Sequence, residues 1–187
     1  MSFRIGIPSI GRTAFAAASI VALALTGCAN MPAPVNYSPA STMSATGNVT
    51  VADFKYLPAS DGKTAPNQLK NTAMGEIKLD KNIDVFFRDA VFKEFRFIGI
   101  KVDGTNRTLK GDIKEFLVDD LGYSVTWTVD VHYYVTDSQS GKLVYETDKK
   151  TTNKTAKFAN VFEALNQQIR SNIEELLKDQ DFRKSIN

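Results

Sequence analysis

The sequence predicts an α+β fold: a two-layer sandwich with an antiparallel sheet of about four strands and two helices on one face, in the order β-α-β-β-β-α. Three observations point there. Residues 125–135 alternate strictly, with Val125, Trp127, Val129, Val131, Tyr133 and Val135 on one side and Thr126, Thr128, Asp130, His132 and Tyr134 on the other. One face of that strand must be dry and the other wet, as in an antiparallel sheet covered on a single side. Residues 80–98 and 160–178 instead repeat apolar side chains at helical spacing. Finally, Asp119-Asp120-Leu121-Gly122 and Asp137-Ser138-Gln139-Ser140-Gly141 supply turn chemistry on either side of the long strand.

Each element has its own justification. Val49 to Tyr56 reads as the first strand, with a slip of phase near Val51-Ala52 that predicts a bulge. Pro58 to Lys78 is polar and rich in turn residues, so it reads as a long surface loop, of a length that is functional or disordered in small domains. Asp80 to Ile98 reads as a helix with a cap at Asp80 or Asn82 and a stop at Gly99. Ile83, Phe86, Phe87, Ala90, Val91, Phe97 and Ile98 fall on its core-facing arc, and Asp84, Arg88, Asp89, Lys93 and Arg96 lie opposite. Val85 and Phe92 interrupt the polar side and, flanked by Phe95, form a candidate partner-contact patch. Glu94 falls inside the apolar arc, where an unpaired charge is costly, so fraying or snorkelling is expected there. Ile100–Val102 reads as a short strand, Leu109–Val118 as a longer one, and Lys142 to Thr152 as the hairpin partner of the alternating strand. Asn160 to Lys178 is a helix capped by Asn160 with Glu163 three residues on. Its Val161, Phe162, Leu165, Ile169, Ile173 and Leu176 form one stripe that should pack on the sheet.

The N-terminal segment has the three parts of a secretory signal: Arg4 and Arg12, an apolar run from Ala14 to Leu25, and small residues at its end. Leu25-Thr26-Gly27-Cys28 reads as a lipobox holding the only cysteine of the chain. The apolar run between Arg12 and Cys28 is too short to span a bilayer. Its resemblance to bacterial lipoprotein signals implies cleavage before Cys28, a diacylglycerol on the Cys28 sulfur and acylation, by palmitate-type chains, of the new amino terminus. Several acyl chains anchor stably where one is marginal. Residues 1–27 are then the signal, 28–48 the lipidated cysteine and a flexible Pro/Ala/Ser/Thr-rich tether, and 49–187 one periplasmic domain. Ala29 after the cysteine favours the outer membrane, since an aspartate there would resemble the inner-membrane retention signal of enteric bacteria.

Composition excludes several classes. The chain has 23 Lys+Arg against 21 Asp+Glu, and two of the arginines leave with the signal, so the mature protein has no basic excess for nucleic acid. With its lone thiol acylated, the protein has neither a disulfide nor thiolate chemistry. One histidine, His132, with no free cysteine to join it, argues against a metal site, and no cofactor motif appears. Asp130 and His132 share a strand face, yet no nucleophile elbow, phosphate loop or zinc motif accompanies them, so the expectation is a protein that is not an enzyme.

Through Leu25-Thr26-Gly27-Cys28, the run from Tyr123-Ser124-Val125-Thr126-Trp127-Thr128-Val129 to Tyr134, and Ala164-Leu165-Asn166 leading into Asn172-Ile173, the chain resembles the small bacterial lipoproteins of the YajG-like kind. It is similar more loosely to auxiliary lipoproteins of ABC transporters and to lipoproteins that activate cell-wall synthases. The resemblance implies the element order and two layers given above and no active-site residue. The expected role is an envelope interaction module, bound to the membrane through Cys28 and to a protein partner through Thr128, Asp130, His132 and Tyr134 of the open sheet face, the 58–78 loop or the Val85/Phe92/Phe95 patch. The alternative is a lipid- or apolar-ligand-handling accessory of a transporter, with a groove between helix and sheet.

Overall fold

A computed structural model of the chain describes residues 32–72 and 76–187. Leu25, Thr26, Gly27 and Cys28 lie outside the described residues. In chain order the elements are β1 (Thr50–Tyr56), α1 (Leu57–Ser60), β2 (Gln68–Asn71), β3 (Ile77–Lys78), α2 (Ile83–Ile98), β4 (Arg107–Asp119), β5 (Ser124–Asp137), β6 (Leu143–Ala156), α3 (Val161–Lys178) and α4 (Gln180–Ser185). The fold is α+β and sandwich-like, with α2 over β1 and α3 over β5 and β6.

The sheet is mixed, where a wholly antiparallel one was expected. β4, β5 and β6 form the antiparallel centre, while β1 and β2 both pair in parallel with β4 along its other edge, and β3 pairs with β2. The cause is the connection: α2 lies between β1 and β4, and a helical crossover returns the chain in the same direction. The 58–78 segment is not a bare loop, since it contains α1, β2 and β3, and Leu69 is buried. Ile100–Val102 is not a strand; Lys101 makes a single bridge to Asn48. The register shift of β1 falls between Val51 and Phe54, close to the expected bulge.

Packing explains the register of β1 on β4. Phe54 lies so close over Gly111 that a Cβ there would come within 2.4 Å of the Phe54 ring. The Phe54 ring in turn contacts Phe87 of α2 at 5.6 Å and Tyr133 of β5 at 6.0 Å between centroids. Trp127, Tyr133, Phe86, Phe87, Phe95, Phe116 and Phe182 fill the space between helices and sheet.

The core stripe of α2 is Ile83, Phe86, Phe87, Ala90, Val91, Glu94, Phe95 and Ile98. Phe95 is therefore core rather than surface, and Phe97 is 58% exposed rather than core. Glu94 is the reason. Its carboxylate neither frays nor snorkels: it is fully buried, accepting hydrogen bonds from the Tyr37 hydroxyl and, at 2.7 Å, from the Ser41 backbone N–H. Burial and the adjacent carboxylate hold the Tyr37 phenol far above the usual tyrosine range, so it remains a donor.

Those donors come from the segment expected to be a flexible tether. From Ala33 onward it is docked. Ala33 bonds the backbone of Lys78 and Asp80, and the Val35 N–H donates to Asp80 Oδ1 at 3.0 Å. Lys93 of α2 and Asn166 of α3 donate to Asn36 and Tyr37 acceptors, and the Ala45 N–H donates to Ile98 O. Val35 and Tyr37 are buried. This lead runs beside α2 toward its C-terminal end before entering β1 at Thr50.

Two buried amides set the seat of α3. Asn172 accepts from the Tyr133 hydroxyl at 2.7 Å and donates to Lys149 O and Val129 O, while Gln168 accepts from Asn153. Beyond α3, Asp179 caps α4 through the Asp181 and Phe182 amides and also receives Tyr145 and Lys149 at 2.8 Å each. Burial pushes the Asp179 carboxyl up, but the hydrogen bonds from Lys149, Tyr145 and the two amides outweigh it and lower the pKa to about 2 from 3.8.

Glu94→Ala leaves the Tyr37 hydroxyl and the Ser41 amide buried without an acceptor, and should cost about 3 kcal/mol in urea unfolding, with Glu94→Gln costing less. Because the Asp179 pKa is depressed on folding, its contribution is complete above the unfolded value and disappears as pH falls toward about 2. The melting temperature should therefore drop between pH 4 and pH 2, and Asp179→Asn, already less stable at pH 7, should show a smaller drop across that window.

Candidate functional site

Strand alternation sets the candidate site. The face of β5 turned away from the helices carries Thr126, Thr128, Asp130, His132, Tyr134 and Thr136. Register places Lys150 beside Asp130, Asp148 beside His132 and Glu146 beside Tyr134 on β6. On the other side β4 contributes Asp112 opposite His132 and Lys110 opposite Tyr134. A second bulge, between Ile113 and Glu115, sets Lys114 and Glu115 against Asp130. The extra residue keeps both side chains off the core, which is how a bulge re-aims side chains.

The resulting network is continuous. His132 Nδ1 lies 2.9 Å from Asp148 Oδ1, and its Nε2 lies 3.7 Å from Glu146 Oε2. Lys114 Nζ bridges two strands, at 3.1 Å from Asp148 and 3.4 Å from Asp130, and Lys150 reaches Glu115 at 3.5 Å. Tyr134 packs against the His132 ring with centroids 5.8 Å apart. The His132 hydrogen bond, followed by that of Lys114, holds the Asp148 carboxyl below its ordinary value; Asp148 in turn raises Lys114.

Asp130 and His132 share the open face, as the alternation predicts, but the partners of both lie on the neighbouring strands. His132 pairs with Asp148 across strands, not with Asp130, which pairs with Lys114. Nothing in the local sequence marks Lys114, Glu115, Glu146 or Asp148 as members of this network. The register that brings Asp148 to His132 follows from the 137–141 turn, whereas the bulge at Lys114 interrupts an otherwise regular alternation. Thr128 and Tyr134 do lie on the open face. Val85 and Phe92 are only 38% and 37% exposed, Phe95 is buried away from them, and Arg96 covers the Phe92 ring at 5.6 Å. The patch expected on α2 is thus narrower than it looked.

At one margin of the network the turn after α1 overhangs the bulge. A cleft of about 350 Å³ there is lined by Pro58, Asp61, Lys63, Thr64, Lys70, Lys114, Glu115 and Asp130. Its charges are mixed. Among the described residues no cluster of three His, Cys, Asp or Glu side chains could hold a metal ion, and no helix is long and apolar enough to cross a membrane. Chemically the face offers alternating charges: the His132–Asp148 and Lys114–Asp148 pairs are solvent-screened and worth about 0–1 kcal/mol each, while Asp130 is largely buried.

Solved structures share this fold. Protein XCC0632 of Xanthomonas campestris, of the family described as DUF330, matches with a TM-score of 0.60 at 13% identity, over 80% of this chain and 93% of that one. The hypothetical protein CT253 of Chlamydia trachomatis matches with 0.53 at 10% identity, over 76% of this chain and 100% of its own. A looser likeness, with a TM-score of 0.34 at 10% identity over 71% of this chain and 99% of that one, is to lipoprotein GNA1162 of Neisseria meningitidis. No protein-family model matches the sequence, and no curated protein does. What the first two share with this chain at these identities is the fold alone.

Replacing His132 by Asn should raise the Asp148 carboxyl midpoint toward its ordinary value in an NMR titration, with Lys114→Met raising it less. Neither should cost more than about 1 kcal/mol, because the pairs are solvent-screened.

Proposed function

We propose that the protein is a lipid-anchored lipoprotein of the bacterial envelope, of the YajG-like kind, and that it acts as a non-enzymatic interaction module. In this reading Cys28 carries the acyl chains, the domain faces the periplasm from the outer membrane, and the open sheet face receives an envelope protein. The observation that carries it is the charged ladder on that face. It presents Asp130, His132, Tyr134, Asp148, Glu146, Lys114 and Lys150 in fixed register on three long strands, with only the turn after α1 overhanging one margin among the described residues. A rigid, two-signed, half-wet surface suits recognition of a complementary charged protein surface, where electrostatics sets register and rate of association.

The alternative of an apolar ligand carried between helix and sheet has less support. That space is filled by buried Phe54, Phe87, Phe95, Trp127, Tyr133 and Phe182, with Phe54 against Phe87 and Tyr133 and Phe95 against Phe182.

The test is photo-cross-linking in cells from a reactive residue at Thr128. Charge reversal by Asp130→Lys with Asp148→Lys should preserve the melting temperature within a few degrees and reduce the cross-linked product several-fold. Val85→Ser with Phe92→Ser should leave the product unchanged. Undiminished cross-linking in the charge-reversed protein would remove the open face as the docking surface.

A further inference from the structure

The two edges of the sheet are finished differently. On one side β1 and β2 divide the outer edge of β4 between them, β3 has two residues, and Ala33 bridges Leu79 just beyond it. The other side ends on β6, which runs 14 residues from Leu143 to Ala156, about 46 Å, and no strand pairs with its outer side among the described residues. Natural sheets shorten such an edge, break it with proline or a bulge, or cover it. β6 contains no proline, and its register shift lies at its very start, opposite Val135 and Thr136. The charges it carries on the open face are ordered: Glu146 and Asp148 in its first half, Lys150 and Lys154 in its second.

A strand with that charge order complements a copy of itself turned end for end. In a continuous sheet both strands keep the same face toward the helices, so a two-fold axis normal to the sheet must pass through a residue of β6. The charges decide which residue. An axis at Asp148, Lys149 or Lys150 sets that side chain against its own copy. One at Thr147 opposes Glu146 with Asp148, one at Thr152 opposes Lys150 with Lys154, and one at Asn153 opposes Lys149 with Lys157. At Thr151 no like charges meet: Asp148 faces the second copy's Lys154, Lys150 faces Thr152, and Lys149, already held by Asp179 at 2.8 Å, faces Asn153. The same axis carries Leu143 and Val144, exposed at the start of β6, to the far end of the second copy's strand, where Phe158 is open to solvent. α3 lies over β5 and β6, so its copy comes two strand spacings away, about 10 Å, the distance at which helices pack.

We propose that the outer edge of β6 pairs antiparallel with β6 of a second copy of this chain, about a two-fold axis at Thr151, and that the sheet runs unbroken through the dimer. Backbone hydrogen bonds supply an attraction that any open edge offers, and the opposed charges select this partner and this register. Because the axis is normal to the sheet, the two charged faces look the same way and form one surface that presents each of its features twice. The inference goes beyond the reading of that face, and needs neither it nor the acyl anchor.

The test is equilibrium sedimentation of the full chain as expressed, solubilised in detergent at micromolar concentration, where a dimer is expected. Asp148→Lys sets lysine against lysine on both sides of the axis, and Lys154→Asp sets acid against acid. Each should weaken self-association by about tenfold while keeping the melting temperature within a few degrees, which separates dissociation from unfolding. Mixed in equal amounts, the two variants oppose unlike charges at both places and should dimerise with each other as the unsubstituted protein does with itself. The two substitutions combined in one chain should restore self-association for the same reason. A monomeric unsubstituted protein overturns the proposal. So does a dimer that both single variants leave intact, which association through acyl chains or another face would give, and so does a mixture of folded variants that stays monomeric.

Discussion

A carboxylate with no access to water stands in the C-terminal half of α2, and the architecture upstream of β1 follows from satisfying it. Glu94 could not stay in the core without donors, because a buried charge left unpaired costs several kcal/mol. Tyr37 and the Ser41 amide supply them. With the carboxylate held, the helix keeps an unbroken buried stripe from Ile83 to Ile98, and Phe95 can enter the core against Phe182. The chain before β1 becomes part of the folded unit rather than a leash trailing from it.

That docking changes what an anchor at Cys28 would do. A free tether of twenty residues would let the domain wander tens of ångströms from the bilayer. A chain fixed from Ala33 removes that freedom from residues 33–48, which belong to the folded unit. The sheet completes the geometry. Its helical face is closed by aromatic packing, and its other face stays wet and charged because the strand alternation of β5 is carried across into β4 and β6 by register.

Much of this was legible in residue order. The long alternating strand, its hairpin partner and both main helices stand where periodicity puts them, and the open-face residues Thr128, Asp130, His132 and Tyr134 are on the face expected. Long-range pairing was not legible. Nothing local announces that β1 and β2 share one edge of β4, that Lys114 sits in a bulge, or that Asp148 rather than Asp130 meets His132. Glu94 was visible as an anomaly on the helical wheel, yet its donors lie 57 and 53 residues away in a segment whose composition reads as linker. Composition measures what a segment can bury alone, and residues 33–48 order only because two helices offer them a surface.

The most direct measurement of this account is amide hydrogen exchange at Ser41. An N–H donated to a buried carboxylate should exchange only when the domain opens, with protection approaching that of core amides such as those of Val129 or Val131. Exchange at the rate of a free chain, with β5 still protected, would show that Glu94 is not held by the lead and would contradict the account at its centre.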